Sequence, residues 1–128
     1  MPAIGDGGED TELIPRIIQA FTGKKVIGAA AGIKHTAVWT DAGELFTFGN
    51  GIYGQLGHGG QQEELVPKLV SALTENQVIG AAAGGIHTAV WTEAGELFTF
   101  GHGYKGMLGH GGEEHELVPR LVETMIEA

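Results

Sequence analysis

A 23-residue phrase occurs twice in this chain, 52 residues apart. Ala29–Gly51 reads AAAGIKHTAVWTDAGELFTFGNG, and Ala81–Gly103 reads AAAGGIHTAVWTEAGELFTFGHG, with four positions changed. The same spacing links Leu13-Ile14-Pro15-Arg16 to Leu65-Val66-Pro67-Lys68 and to Leu117-Val118-Pro119-Arg120. The opening IGDGGEDTEL also matches LGHGGQQEEL and LGHGGEEHEL. The chain therefore holds about two and a half units. Self-similarity at a period near 50 restricts the fold to architectures that stack one supersecondary unit repeatedly.

Each unit contains four short extended segments. Lys25–Ala31 is apolar and small, His35–Thr40 is β-branched and aromatic, Leu45–Phe48 alternates, and Leu65–Val70 carries Pro67. Proline cannot donate to a ladder, so the last segment belongs at a sheet edge. Asp41-Ala42-Gly43-Glu44 reads as a hairpin turn. A competing reading makes PRIIQAF and PKLVSAL short helical turns.

Four strands per unit at this period predict an all-β chain of β-propeller blades, each with four antiparallel strands. The expected division is a tail of a preceding repeat at 1–23, one blade at 24–75 and a second at 76–128. Blades converge on an axis, so the small residues Ala29–Ala31 are expected innermost. Ala30 and Ala82 are then expected to reject large side chains. Two blades share one interface and are expected to leave two apolar faces open. Copies are expected to join head to tail and complete a ring, as a trimer or tetramer, with the half repeat at Leu13–Ile18 exchanged between chains.

Composition narrows the function. Sixteen acidic residues face seven basic ones, for a formal charge of -9. That excludes the cationic surface that nucleic-acid binding needs and favours a basic protein partner. Cysteine is absent, which removes disulfides, thiolate metal sites and cysteine nucleophiles. The first residues show no signal-peptide pattern and no apolar run spans a membrane. The expectation is a soluble intracellular protein, cytoplasmic or nuclear, that is not secreted and needs no cofactor.

The series AAAG..HTAVWT..GELFTFG....YGQLGHG......VPKLV resembles the regulator of chromosome condensation repeat. The resemblance implies a propeller, usually seven-bladed, that serves as a scaffold for protein recognition. Some members exchange nucleotide on a small GTPase, some sit beside ubiquitin-ligase domains, one senses ultraviolet light and one inhibits β-lactamases. An alternative reading is thus a fragment of a larger propeller that regulates a GTPase or ubiquitin-ligase partner. The departures are specific. The family's tryptophan is Phe48 and Phe100 here, and its loop asparagine is Gly51 and Gly103, a mild change because both residue types tolerate the left-handed backbone. YGQLG at Tyr53–Gly57 becomes KGMLG at Lys105–Gly109. Ile33, with Ile86 or Gly85, stands where the photoreceptor has its tryptophan, which argues against light sensing.

The candidate blade-holding residues are His35, His87, Trp39, Trp91, Phe48, Phe100, Gly57 and Gly109. The histidines are expected to bond loop backbone through their ring nitrogens and hold blades in register. A ligand or base role needs a non-repeating partner, and the sequence offers none. His58 and His110 sit in LGHGG, which lacks the ending of a phosphate loop. Their spacing to His102 and His115 matches no zinc pattern. A second candidate surface is an acidic rim formed by Glu9, Asp10, Glu12, Glu63, Glu64, Glu113, Glu114 and Glu116. It reads either as solvated turns or as a ring that steers a basic partner. Catalysis requires an asymmetric constellation, whereas nearly every polar residue here recurs with its surroundings. The expected activity is non-catalytic: presentation of loops for protein–protein interaction.

Overall fold

The computed structural model describes residues 18–103, 108–109 and 115–122. Eight strands form two four-stranded antiparallel sheets. The first comprises β1 (Val26–Ala31), β2 (His35–Thr40), β3 (Leu45–Gly49) and β4 (Glu64–Leu69). The second comprises β5 (Val78–Ala83), β6 (His87–Thr92), β7 (Leu97–Gly101) and β8 (Glu116–Leu121). In each sheet the strands lie in chain order, as hairpin-connected strands of a propeller blade do. Pro67 and Pro119 sit on the outer strands β4 and β8, whose far edges need no donor.

The β2–β3 connection shows why the chain turns there. Gly43 N donates to Thr40 O at 3.0 Å and Thr40 N to Glu44 O at 3.1 Å, with Gly43 left-handed at φ 83. Gly95 repeats this geometry at φ 84. After the outer strand, both competing readings of PKLVSAL hold in succession. Extended chain runs to Leu69, and a single 3₁₀ turn then spans Ser71–Leu73. An equivalent turn spans Gln19–Phe21.

The core lies between the sheets. Ala37, Leu45, Val70, Leu73, Val78, Ala81, Val90 and Phe100 form one buried cluster, with Trp39 and Phe98 packed against it. Strand alternation explains the membership. Ala37 and Leu45 face the second sheet, and Val90 and Phe100 face back. Leu73 carries the segment after β4 into the cluster, so the 3₁₀ turn ties the end of one sheet to the next. Phe21 occupies the equivalent place beside Phe46, with ring centroids 5.3 Å apart.

Two expectations are corrected. Ala82 is exposed, and the alanine buried on β5 is its neighbour Ala81, because alternation turns Ala81 toward the first sheet. Among the described residues, the two outward faces differ. Val38, Phe46 and Phe48 on the first sheet are buried within the chain. Ala89, Trp91 and Leu97 on the second are half-buried or exposed. Gly49 and Gly101, the last residues of β3 and β7, have positive φ, 111 and 116. The register shift after Thr47 and Thr99 places the special backbone at the strand end. The expected ninth strand at Leu13–Ile18 lies, apart from Ile18, outside the described residues.

Candidate functional site

The sheet-to-sheet seam gathers four of the eight residues singled out by the repeat: His35, Trp39, Gly57 and Phe100. His35 is fully buried and reaches across to Thr88, Nε2 to Oγ1 at 2.9 Å. Thr88 Oγ1 donates to Gln55 O at 2.7 Å. Its single proton being used, Thr88 accepts from His35, so the proton sits on Nε2. The expected loop-backbone contact is thus indirect, relayed through a threonine hydroxyl. His35 Nδ1 is buried without a partner. Burial pushes the His35 pKa down from 6.5 to about 4, since a charged ring here loses its water. His87, at the matching place on the outward face, is partly exposed, and burial lowers its pKa as well.

Backbone bonds fasten the seam at both ends. Val78 N donates to Gly43 O at 3.1 Å, and Gly59 N to Leu117 O at 2.8 Å. Between them Gly57, at φ 77, lies against the Phe100 ring, where an added Cβ would stand 2.8 Å from Cε2. Phe48 and Phe100 are both buried. Gly109 is left-handed at φ 79 and approaches Val122 instead.

Two repeated contacts were not read from sequence. Thr47 Oγ1 donates to Leu56 O, and Thr99 Oγ1 to Leu108 O, each at 2.6 Å, tying the glycine-rich loop to the third strand. Thr47 Oγ1 also accepts from His58 Nε2 at 2.9 Å, which gives that histidine a loop-holding place. Burial, first, and the Lys68 charge lower the His58 pKa. Gly28 and Gly80 lie under the indoles of Trp39 and Trp91, where any Cβ would overlap the ring. The repeat of Gly at fixed distance before each Trp was the available signal.

The acidic-rim residues separate. Glu63 is exposed in the β3–β4 loop. Glu64 pairs with Lys68 at 3.5 Å and Glu116 with Arg120 at 2.8 Å, each four residues along an outer strand. Such exposed pairs contribute little to stability, but they cancel the charge of two rim carboxylates. Glu9, Asp10, Glu12, Glu113 and Glu114 lie outside the described residues, as does His110. Among the described residues no three His, Cys, Asp or Glu side chains converge as metal ligands. No described helix is long and apolar enough to cross a membrane.

Concave surface occurs at both ends of the seam. At the hairpin-turn end a cleft of about 230 Å³ runs beside Gly43, Leu45, Val70 and Gln77. At the loop end a cleft of about 390 Å³ is lined by Ile33 and Lys34, by Ile52, Tyr53 and Gln55, and by Ile86 across the seam. Tyr53 packs edge-on against His102 (4.7 Å) and His115 (5.6 Å) of the second sheet.

This geometry is that of two adjacent blades. The sequence pattern described as the Regulator of chromosome condensation (RCC1) repeat matches residues 42–91 and 94–127. The chain belongs to the RCC1 repeat family. It is 38% identical over 122 residues to the ultraviolet-B receptor UVR8 of Arabidopsis thaliana, covering 95% of this chain and 28% of that protein. It is 39% identical over 133 residues to the human E3 ubiquitin-protein ligase HERC2, covering 94% of this chain and 3% of that protein. Human WBSCR16 has a similar structure, with a TM-score of 0.72 and 28% identity over 77% of this chain and 25% of that one. Yeast RCC1 (Prp20), solved bound to Kap60, shares the fold at a TM-score of 0.71 and 20% identity, over 78% of this chain and 25% of that one. The chain thus spans about a quarter or less of these relatives. The RCC1 match also runs out of phase with the blades, since 42–91 takes β3 and β4 from one sheet and β5 and β6 from the next.

Proposed function

We propose that this chain is a non-catalytic propeller scaffold that joins copies of itself through its open blade face and presents the seam loops to a protein partner. One observation carries the self-association. The face bearing His87, Ala89, Trp91 and Leu97 repeats the face bearing His35, Ala37, Trp39 and Leu45 that makes the internal seam. In the seam Ala37 and Leu45 are buried, with 0% and 1% of their surface exposed. On the open face Ala89 and Leu97 are only half-buried and Trp91 is 41% exposed. A second blade is what that surface is shaped to receive, and the chain owns the complementary face in Thr36, Val38, Phe46 and Phe48. That face is buried within the chain, so association there exchanges chain against chain rather than adding to bare surface. The contact is head to tail and closes only as a ring, of three or four copies for six or eight blades.

The non-catalytic reading rests on the repeat. Two of the seam's buried polar groups are spent within it, His35 Nε2 on Thr88 and Thr88 on Gln55. A second reading makes the chain two blades of a longer propeller, with the next blade supplied in the same polypeptide and a GTPase or ubiquitin-ligase system as the partner. The quarter-length coverage of the solved propellers favours it. Light scattering on the full chain at tens of micromolar separates the two. A trimer or tetramer that Trp91→Lys dissociates supports ring assembly, and a monodisperse monomer refutes it.

A further inference from the structure

The two copies of the 23-residue phrase differ at four positions: Ile33 against Gly85, Lys34 against Ile86, Asp41 against Glu93, and Asn50 against His102. Asp41 for Glu93 preserves charge. The other three pairs are the chemically distinct ones, and five of their six members, Ile33, Lys34, Asn50, Gly85 and Ile86, line the cleft at the loop end of the seam; the sixth, His102, packs against Tyr53 of the lining. Within the repeated phrase, the chemically distinct changes gather at one concave surface.

That surface is stiff and apolar. Asn50 N donates to Lys34 O at 2.8 Å, tying the β1–β2 loop to the β3–β4 loop. Asn50 Oδ1 then accepts Ile52 N at 2.8 Å, and Gln55 Oε1 accepts Tyr53 N at 2.8 Å. Gln55 and Asn50 are themselves buried, so the loop is held from within and its apolar side chains point outward. Ile33 is 80% exposed and Ile52 55%. A preorganised loop loses little entropy on binding, and a volume near 390 Å³ falls in the range of ligand clefts.

Charge selects the occupant. Among the described residues no acidic side chain lines the cleft, although the chain carries 16 acids to seven bases. The one charged group among the described lining residues is Lys34, which is exposed and makes no ion pair among them. Lys68 and Arg120, by contrast, are each paired to a glutamate. We infer that this cleft binds a linear peptide segment of a partner protein in which a carboxylate, met by Lys34, stands beside apolar side chains that fill the space between Ile33, Ile52, Tyr53 and Ile86.

The inference rests on the scaffold reading but not on ring closure, because every lining residue belongs to one chain. The test selects a random linear peptide library displayed on phage against the full chain, then titrates the enriched peptides by fluorescence anisotropy. Enriched sequences are expected to pair an acidic residue with apolar neighbours. Their affinity is expected to fall about tenfold or more with Lys34→Glu and with Ile52→Ser, both exposed positions that leave the core intact. No enrichment above background, a basic or uncharged consensus, or affinities unchanged in both variants overturns the inference. So does a second copy in the cleft, seen as an oligomer that Ile33→Ser and Ile52→Ser dissociate while Trp91→Lys does not. Peptide binding by a monomer would leave this site standing and remove ring assembly. A Trp91-dependent ring that binds no peptide would do the reverse.

Discussion

Acid should weaken the seam through one identifiable group. His35 bonds Thr88 through Nε2–H and leaves Nδ1 buried without a hydrogen bond. Protonating Nδ1 creates a charge cut off from water, which the His87 backbone offsets only in part. The folded pKa, about 4, lies below the ordinary 6.5, so between those values the unfolded chain binds the proton and the folded chain does not. Stability from this group is therefore fully present above about pH 6.5 and is lost as pH falls toward 4. A gap of 2.5 units, from 6.5 to about 4, at roughly 1.4 kcal/mol each, comes to about 3 kcal/mol. That is a large share of the roughly 5–15 kcal/mol that holds a domain together. The control is His35→Gln, whose amide keeps a donor for Thr88 and cannot titrate. Urea unfolding, followed by tryptophan fluorescence near pH 7 and near pH 4, gives the difference between the two proteins at each pH. Carboxylates, His58 and His87 titrate in both and cancel. The wild type should lose about 3 kcal/mol more than the variant across this window. Parallel losses, or a His35 pKa near 6.5 measured by NMR, would refute the reasoning.

Three further perturbations test the seam. Gly57→Ala should cost about 1–3 kcal/mol in urea melts, because the new Cβ meets Phe100 and the backbone is left-handed; Gly109→Ala, which meets Val122 at 3.3 Å, should cost less, and equal losses would deny the Phe100 contact. Ala81→Leu should lower stability by about 1–3 kcal/mol by overpacking, whereas the exposed Ala82→Leu should stay within about 0.5 kcal/mol in the monomer; the reverse order would move the strand by one residue. Thr99→Val should cost about 1–3 kcal/mol by leaving the Leu108 carbonyl unbonded, and an unchanged thermal midpoint would show that water replaces the hydroxyl.

What could be read in advance followed from period and local chemistry. Gly43 announces its hairpin, Pro67 its edge strand, and the alternation of Phe46 and Phe48 a sheet face. What could not be read depends on residues about one repeat away. The partner of His35 is Thr88, 53 positions on, and nothing local to either names the other. The PKLVSAL segment divided the readings because it is two elements, an outer strand and a turn that belongs to the next sheet. The cleft was half legible. The four changed letters were visible, but only folding brings Ile33, Lys34 and Asn50 from one repeat against Gly85 and Ile86 from the other.

The phase difference between repeat and blade gives this architecture a way to hold its neighbours. Because the matched unit 42–91 crosses the seam, each sheet is completed by strands from two successive units. A break in sequence register therefore never coincides with a break in hydrogen bonding. The 3₁₀ turn reinforces the effect: Leu73 follows the outer strand of one sheet yet is buried in the cluster that includes Val78, Val90 and Phe100 of the next. Separating two blades must then pull Leu73 from its site, open the Val78–Gly43 and Gly59–Leu117 backbone bonds and expose Thr88 and His35 together. These losses fall on one interface and in one step, so the two blades should unfold as one unit rather than in sequence.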